Sequence, residues 1–536
     1  MKRNYLILFF LLSSITTAQQ PIQPLQTLME VEYVNSNYEL GTGMLGLGDI
    51  NSDGKPDFAV SAYNIRKTFI YYGGKGVLDD TVDLVIKGGG ILGKGDLNGD
   101  DAIDFVVLFP GDSSTGYFNQ LAIYFGREDS TIKIDTIPSL LITEEQIASR
   151  FGETFAIGDL DGDGFDDLVV GARTYGLDQG KVYVYFGKTN FNGIPDTTAE
   201  GDTVRSYYGY DIKTADINGD GIKDLTIASD RRKYNTTDNA WVNDGFLDIY
   251  YGKGGWQFTK NGYDQRFDQT NSAGVLYPQV FGLVDVNADG KTDISMVQLD
   301  SAYFFYGKSD SVRHIPDLIL TNPDTDFYSA FAGAASDIGD INKDGKNDFA
   351  LLLSPGTNLS NCMAVYLGNS TPQTKPIGDR CKTGNNPFDI IVNVGDVNSD
   401  GVNDFGSVAP RNNVPELPQD GYFIIFKGDS GYVTGIEKSS VPLPKDFNLY
   451  QNYPNPFNPS TTIEYTLQKE GKVELKIFDM LGKEIKTLVN KDQRSGNYEV
   501  VWDGTGNKGD KVSSGIYFYR LEIDKATITK KAIYLK

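Results

Sequence analysis

Asp159-Leu-Asp-Gly-Asp-Gly-Phe-Asp-Asp167 is the stretch whose reading decides the fold. It recurs seven times, with starts at Asp49, Asp96, Asp159, Asp216, Asp285, Asp340 and Asp396. The intervals are 47, 63, 57, 69, 55 and 56 residues. A recurrence at a period of this order marks a solenoid, a propeller or an array.

Every copy carries the same oxygen pattern at positions 1, 3, 5 and 9. The sets are Asp49, Asn51, Asp53 and Asp57; Asp96, Asn98, Asp100 and Asp104; Asp159, Asp161, Asp163 and Asp167; Asp216, Asn218, Asp220 and Asp224. The last three are Asp285, Asn287, Asp289 and Asp293; Asp340, Asn342, Asp344 and Asp348; Asp396, Asn398, Asp400 and Asp404. Hard cations such as Ca²⁺ take six to eight oxygen ligands, and a tight loop aims alternate side chains at one point. Gly at position 6 permits the positive φ of the turn. It is replaced only in the second loop, by Asp101, which must adopt the left-handed conformation at some cost and makes that loop the least suited to an ion. No Cys or His lies near any loop, which disfavours zinc and copper. One such turn would be an ordinary solvated turn; seven at a regular interval predict up to seven structural Ca²⁺ sites.

An EF-hand needs a bidentate Glu at position 12 and flanking helices. Here position 12 is Val60, Val107, Val170, Ile227, Met296, Leu351 or Ser407, within β-type runs such as Asp167-Leu-Val-Val-Gly-Ala172. The loop therefore joins two strands. After each comes an aromatic strand ending in Gly: 69–73, 123–126, 182–187, 249–252, 303–307, 365–368 and 423–428. A weaker strand follows, at 82–87, 139–143 and 317–320 among others. Four antiparallel strands per repeat, seven times, predict an all-β chain built on a seven-bladed β-propeller over residues 27–430.

Phe151-Gly152, the loop at 159–167 and Gly171-Ala172 resemble the FG-GAP repeat of integrin α-subunit propellers. The resemblance implies calcium in the inter-strand loop and closure of the ring by a lent N-terminal strand, for which 28–34 is the candidate. It covers adhesion receptors, lectins and some polysaccharide-active enzymes, so it fixes fold better than task. Strand alternation puts all acidic loops on one face. The longer connections, at 110–119, 230–244 and 410–420, fall on the opposite face. Within 230–244, Arg231, Arg232, Tyr234 and Trp241 are the candidate ligand contacts, since an aromatic beside bases suits a sugar or an acidic partner. A solvated loop with its Trp on the rim is the plainer alternative.

The 536-residue chain has a formal charge of −23. Seven Ca²⁺ would bring this to about −9, so the acidity is largely that of the loops, and it argues against a nucleic-acid partner. Residues 1–18 read as a signal peptide, with Lys2 and Arg3, an apolar run at 5–15 and a cleavage site after Ala18. No stretch is long enough for a transmembrane helix. In an exported chain, Cys362 and Cys381 either pair across neighbouring strands or are two buried thiols.

A linker at 431–446 precedes a strand-rich tail at 447–536, expected to be a small Ig-like β-sandwich. Its Asn452-Tyr-Pro-Asn-Pro-Phe-Asn-Pro459 string, the turn at 478–482 and Ser514-Gly-Ile-Tyr-Phe-Tyr519 resemble the C-terminal (Por) sorting domain of type IX secretion cargo. That resemblance implies the type IX machinery as a partner and a secreted or outer cell-surface location in a bacterium.

The single histidine, His314, rules out a Ser-His-Asp triad with a second usable His. Two function classes remain. One is a calcium-binding module for adhesion, with a glycan or surface-protein ligand. The other is a lectin or a polysaccharide-active enzyme of lyase type, on the face opposite the loops.

Overall fold

In the computed structural model of the chain, the described residues are 25–432 and 447–534, less 33–39, 112–118, 128–135, 269–280, 322–327, 356–361, 371–375, 382–389, 410–420 and shorter stretches between strands. The expected signal peptide and most of the expected linker lie outside them. The chain divides into two units, Met1–Thr434 and Gly435–Lys536.

The first unit holds seven four-stranded antiparallel sheets among the described residues. The third shows the plan: Phe151–Gly158, Asp167–Ala172, Lys181–Tyr185 and Thr197–Glu200, paired in that order. Second strands such as Asp57–Ala62, Asp167–Ala172 and Asp224–Ser229 are buried along their whole length. Their near-continuous apolar sequences follow, because both sheet faces are covered. Successive side chains point to opposite faces. Leu168, Val170 and Ala172 thus pack toward the second sheet, and Val169 toward the fourth.

Seven apolar clusters fill the seven interfaces, from the first sheet with the second round to the seventh with the first. The sheets form a closed ring, a β-propeller. Thr27–Glu32 closes it, adding an outer strand to the seventh sheet by pairing with Tyr422–Phe426, with Met29 opposite Ile425 and Val31 opposite Phe423. This is the lent strand expected at 28–34, of which 33–34 lie outside the described residues. The outer strands expected at 82–87, 139–143 and 317–320 are Leu84–Lys87, Leu140–Thr143 and Leu318–Thr321.

Cys362 and Cys381 are direct register partners in adjacent strands of the sixth sheet. Cys362 is disulfide-bonded, and Cys381 is the only other cysteine, so the paired alternative holds. His314 is half-buried, with its ring edge-on to Phe267 at 4.6 Å; packing explains it.

In the second unit a three-stranded sheet (Phe447–Leu449, Thr461–Leu467, Gly496–Trp502) and a four-stranded one (Glu484–Gln493, Gly471–Phe478, Gly515–Ile523, Ala526–Tyr534) share a core around Trp502, Tyr465, Tyr519 and Phe457. Glu484–Gln493 has no counterpart in the sequence reading. It is an edge strand with a single buried residue, Val489, so no apolar alternation announces it. The tail's Asn-rich string is tied down by Asn452, buried, whose N–H donates to Tyr519 Oη (2.8 Å) and whose amide donates to Thr461 Oγ1 (2.9 Å).

Met29 sits on the closing strand and is 5% exposed. Met29→Ala should cost about 2–4 kcal/mol, read as a lower urea midpoint with an unchanged slope. A shift below about 0.5 kcal/mol would mean that the closing strand carries little of the ring's stability.

Candidate metal centre

All seven acidic loops join the first and second strands of their sheets, and their 28 candidate oxygen-bearing residues lie within the described chain. The loops share one hydrogen-bond scheme. The position-6 N–H donates to Oδ2 of the position-1 Asp at 2.7–3.0 Å in every loop. The position-7 N–H donates to Oδ1 of the position-5 Asp at 2.9–3.1 Å, again in all seven. These bonds hold the carboxylates of positions 1 and 5 over the loop. Asp101 keeps the scheme by taking φ 62°.

Position 9 is different. Asp57, Asp104, Asp167, Asp224, Asp293, Asp348 and Asp404 are all buried. Oδ1 of each accepts the N–H of the Gly that ends the aromatic strand, at 2.8–3.0 Å. In six loops Oδ2 accepts the position-2 N–H at 2.8–3.0 Å. One carboxylate thus clamps the loop, the second strand and the third. The Gly is required: a Cβ there would lie 2.0–2.6 Å from the position-8 carbonyl oxygen in every sheet. Burial, opposed by these hydrogen bonds, pushes the position-9 carboxyls up to about 6 at Asp57, about 8 at Asp348 and about 7 in the other five. The neighbouring loop carboxylates add to the rise, those of positions 1 and 5 in most loops.

The donor set fits a hard divalent cation. It is all oxygen, and it is crowded with carboxylates, of which Asp53 pairs with Lys55 (3.3 Å) and Asp400 with Lys427 (2.8 Å). In the third loop, carboxylate oxygens of Asp159, Asp161 and Asp167 converge within 4.8 Å of one another, and Asp163 stands outside that group. Asn replaces Asp161 in the other six loops and offers an amide oxygen instead. The seventh loop departs most. Asp404 takes the Asn398 amide at 2.9 and 3.0 Å in place of a position-2 N–H, and Lys427 Nζ lies 2.8 Å from Asp400. The second loop, the least suited to an ion by its sequence, keeps the common hydrogen bonds, and the rearranged ones lie here.

The loops also join the sheets. The residue after the aromatic-strand Gly donates its N–H to the position-2 carbonyl of the preceding sheet's loop: Lys188 to Leu97, Lys253 to Leu160, Asn369 to Val286, Asp429 to Ile341, and Gly74 to Val397 across the ring closure, at 2.8–3.3 Å.

Residues 151–185 match the FG-GAP repeat family. The propeller carries an FG-GAP repeat. Residues 458–526 match the FlgD Ig-like domain family. The chain is 30% identical over 182 residues to integrin alpha-V of Gallus gallus, which covers 32% of this chain and 17% of the integrin. It is 32% identical over 136 residues to phosphatidylinositol-glycan-specific phospholipase D of Homo sapiens, covering 23% of this chain and 16% of that protein. The chain thus spans less than a fifth of either relative. The solved Dos1 propeller covers 75% of this chain and 81% of its own, at 9% identity and TM-score 0.38.

The second candidate site lies elsewhere. The segment holding Arg232, Tyr234 and Trp241 was expected as a loop. It is a two-stranded ribbon, Arg232–Asn235 with Ala240–Asn243, in which Tyr234 and Trp241 are register partners. Arg231 packs over the Phe246 ring at 5.4 Å. Residues 112–118 and 410–420, in the other long connections, lie outside the described residues. Among the described residues, no helix is long and apolar enough to cross a membrane.

Two predictions separate clamp from ligand. Asp167→Asn puts an amide N–H₂ against one of two backbone N–H donors and should cost about 1–3 kcal/mol already in EDTA, and more in calcium because a ligand is lost as well. Asp163→Asn keeps the acceptor for Phe165 N–H and should weaken only the calcium-dependent part of the melt. Identical behaviour of the two variants in EDTA would refute the division of labour.

The raised carboxyls also set a pH dependence. Without metal, the folded chain holds protons that the unfolded chain releases from about 4 upward, so its stability falls as pH rises toward about 7. Cation binding needs the ionised form, so the calcium-induced gain grows over the same window. At about tenfold excess over a millimolar-class Kd each filled site adds about 1.4 kcal/mol. The Tm difference between calcium and EDTA should therefore be large at about pH 8 and small at about pH 5.5. The same difference at both would count against carboxylate-held ions.

Proposed function

We propose that this chain is a seven-bladed, calcium-loaded propeller of the integrin α kind that works outside the cell as a binding or adhesion module. The observation that carries this reading is the hydrogen-bond scheme repeated in seven acidic loops. It devotes one face of the ring to ions and structure, and leaves the opposite face, where the long connections lie, for a partner. The FG-GAP match and the similarity to integrin alpha-V support a binding role. The ions would be Ca²⁺, held by positions 1, 3, 5 and 9, with the position-7 carbonyl completing the oxygen set. They would fix loop shape and neutralise buried charge, with no chemical step of their own.

The chain is read as type IX secretion cargo, with a signal peptide cleaved near Ala18 and residues 447–536 as the sorting domain. Support comes from the Asn452-to-Pro459 string, part of which is built into the core of the tail unit, and from the Ig-like match that covers most of that unit. A sorting signal carried on a folded module needs such a fixed shape.

Labelled full-length chain should bind cell surfaces in calcium and be released by EDTA; retention unchanged by EDTA would contradict a calcium-dependent adhesion module. In the native host, deleting 447–536 should leave a folded propeller in the periplasm, detected by fractionation. Normal surface delivery of the truncated chain would remove the sorting role.

A further inference from the structure

The third and fourth sheets meet, on the face opposite the acidic loops, at an open cleft of about 360 Å³ lined by Arg150, Arg173, Thr174, Asp178, Tyr207, Tyr210 and Asp230. Its volume falls in the range of small-molecule sites, roughly 300–1,000 Å³. The lining follows the repeat. Arg150 and Arg173 of the third repeat correspond, 57 residues on, to Tyr207 and Asp230 of the fourth, and Tyr210 to Glu153, which bonds both arginines but is not itself in the lining. The same two positions of two consecutive repeats therefore face one seam, and they are filled by different chemistry from its two sides. Arg173 spans the seam, with its guanidinium 5.0 Å from the centre of the Tyr210 ring.

The backbone around the cleft is strained. Twelve described residues other than Gly have positive φ. Five lie in acidic loops, where the turn requires it, and Arg66 stands apart. The other six are Ala148 (61°), Arg150 (59°), Leu177 (57°), Asp178 (64°), Arg205 (61°) and Tyr207 (47°), all in the three segments that converge on this cleft. Left-handed conformations of bulky residues persist only where the surroundings enforce them, and they gather at ligand clamps. Backbone hydrogen bonds enforce them here: Tyr207 N–H donates to Asp178 O (2.9 Å), Thr174 N–H to Ser149 O (3.1 Å) and Arg205 N–H to Leu177 O (3.4 Å).

The two arginines of the wall share one acid. Arg150 and Arg173 both bond Glu153 at 3.0 Å, and Tyr207 Oη donates to Asp178 Oδ2 at 3.1 Å. An anionic ligand would meet Asp178 and Asp230 and a cationic one Arg150 and Arg173, so a net charge of either sign is disfavoured. What the wall offers is an alternation of guanidinium donors, carboxylate acceptors, phenols and a hydroxyl, with aromatic rings among them. Such a surface suits a ligand whose groups both donate and accept and which carries no charge. We infer that this seam is a binding site for a neutral oligosaccharide, with Arg173, Tyr207 and Tyr210 as its principal contacts. The inference rests on the reading of the propeller as a binding module and names its ligand class.

The test uses the full chain in calcium on an array of neutral and uronate-bearing oligosaccharides, followed by titration of the best neutral binder against Arg173→Ala and Tyr207→Asn. The expected result is neutral-glycan binding weakened at least about tenfold in both variants. Asn tolerates the left-handed backbone, so Tyr207→Asn should melt no lower than the parent, which separates loss of contact from loss of fold. Binding confined to uronate-bearing glycans, neutral binding unchanged in both variants, or no glycan binding at all would each overturn the site. Those failures leave the adhesion reading standing if the same preparation still binds cells in calcium and not in EDTA.

Discussion

A buried carboxylate at the ninth loop position is the interaction on which the rest of this ring depends. It accepts the N–H of a Gly 14 to 28 residues further along in all seven sheets, and the second N–H of its own loop in six. A buried charge survives only where its hydrogen-bonding capacity is used. Here it is used to hold three backbone segments in one place. The Gly at the far end is fixed by the same contact, since any side chain there would strike the loop carbonyl at position 8.

The clamp has consequences beyond one sheet. In four described joints the loop residue whose N–H it holds offers its carbonyl to the next sheet's N–H; at the joint that closes the ring Val397 offers its carbonyl likewise, though its own N–H goes to Gly395 O (3.0 Å) and not to Asp404. Loop shape and ring closure are therefore one structural problem. The same buried carboxyls, pushed up by burial and by the other carboxylates of their loops, sit in a concentration of negative charge. A divalent cation bound there would answer that electrostatic need and would tighten a joint between sheets as well as a loop within one.

Much of this was legible in the sequence because each feature has a local cause that admits few residues. Position 9 must be a small carboxylate, position 6 must tolerate positive φ, and the aromatic strand must end in Gly. The third repeat, read as the strongest from Phe151, Gly152 and Ala172, is the one that the FG-GAP family matches. What escaped has no such local cause. Glu484–Gln493 is an edge strand with little apolar burial. The ribbon at 232–243 looked like a basic loop because its two short strands pair mainly with each other. The seam between the third and fourth sheets is assembled from positions 57 residues apart, which no linear window displays. Nor do the identities of Arg150 and Tyr207 announce a left-handed backbone. Sequence pointed instead to Arg231, which lies over Phe246.

The most direct measurement is a crystal structure of the calcium-soaked chain with anomalous difference maps. The account predicts peaks inside the acidic loops, each coordinated by oxygens of positions 1, 3, 5, 7 and 9, with the third loop filled and the seventh the weakest. Loops free of anomalous density at millimolar calcium, with the position-9 clamps intact, would show that the carboxylates serve the fold alone and would contradict the assignment of these loops as cation sites.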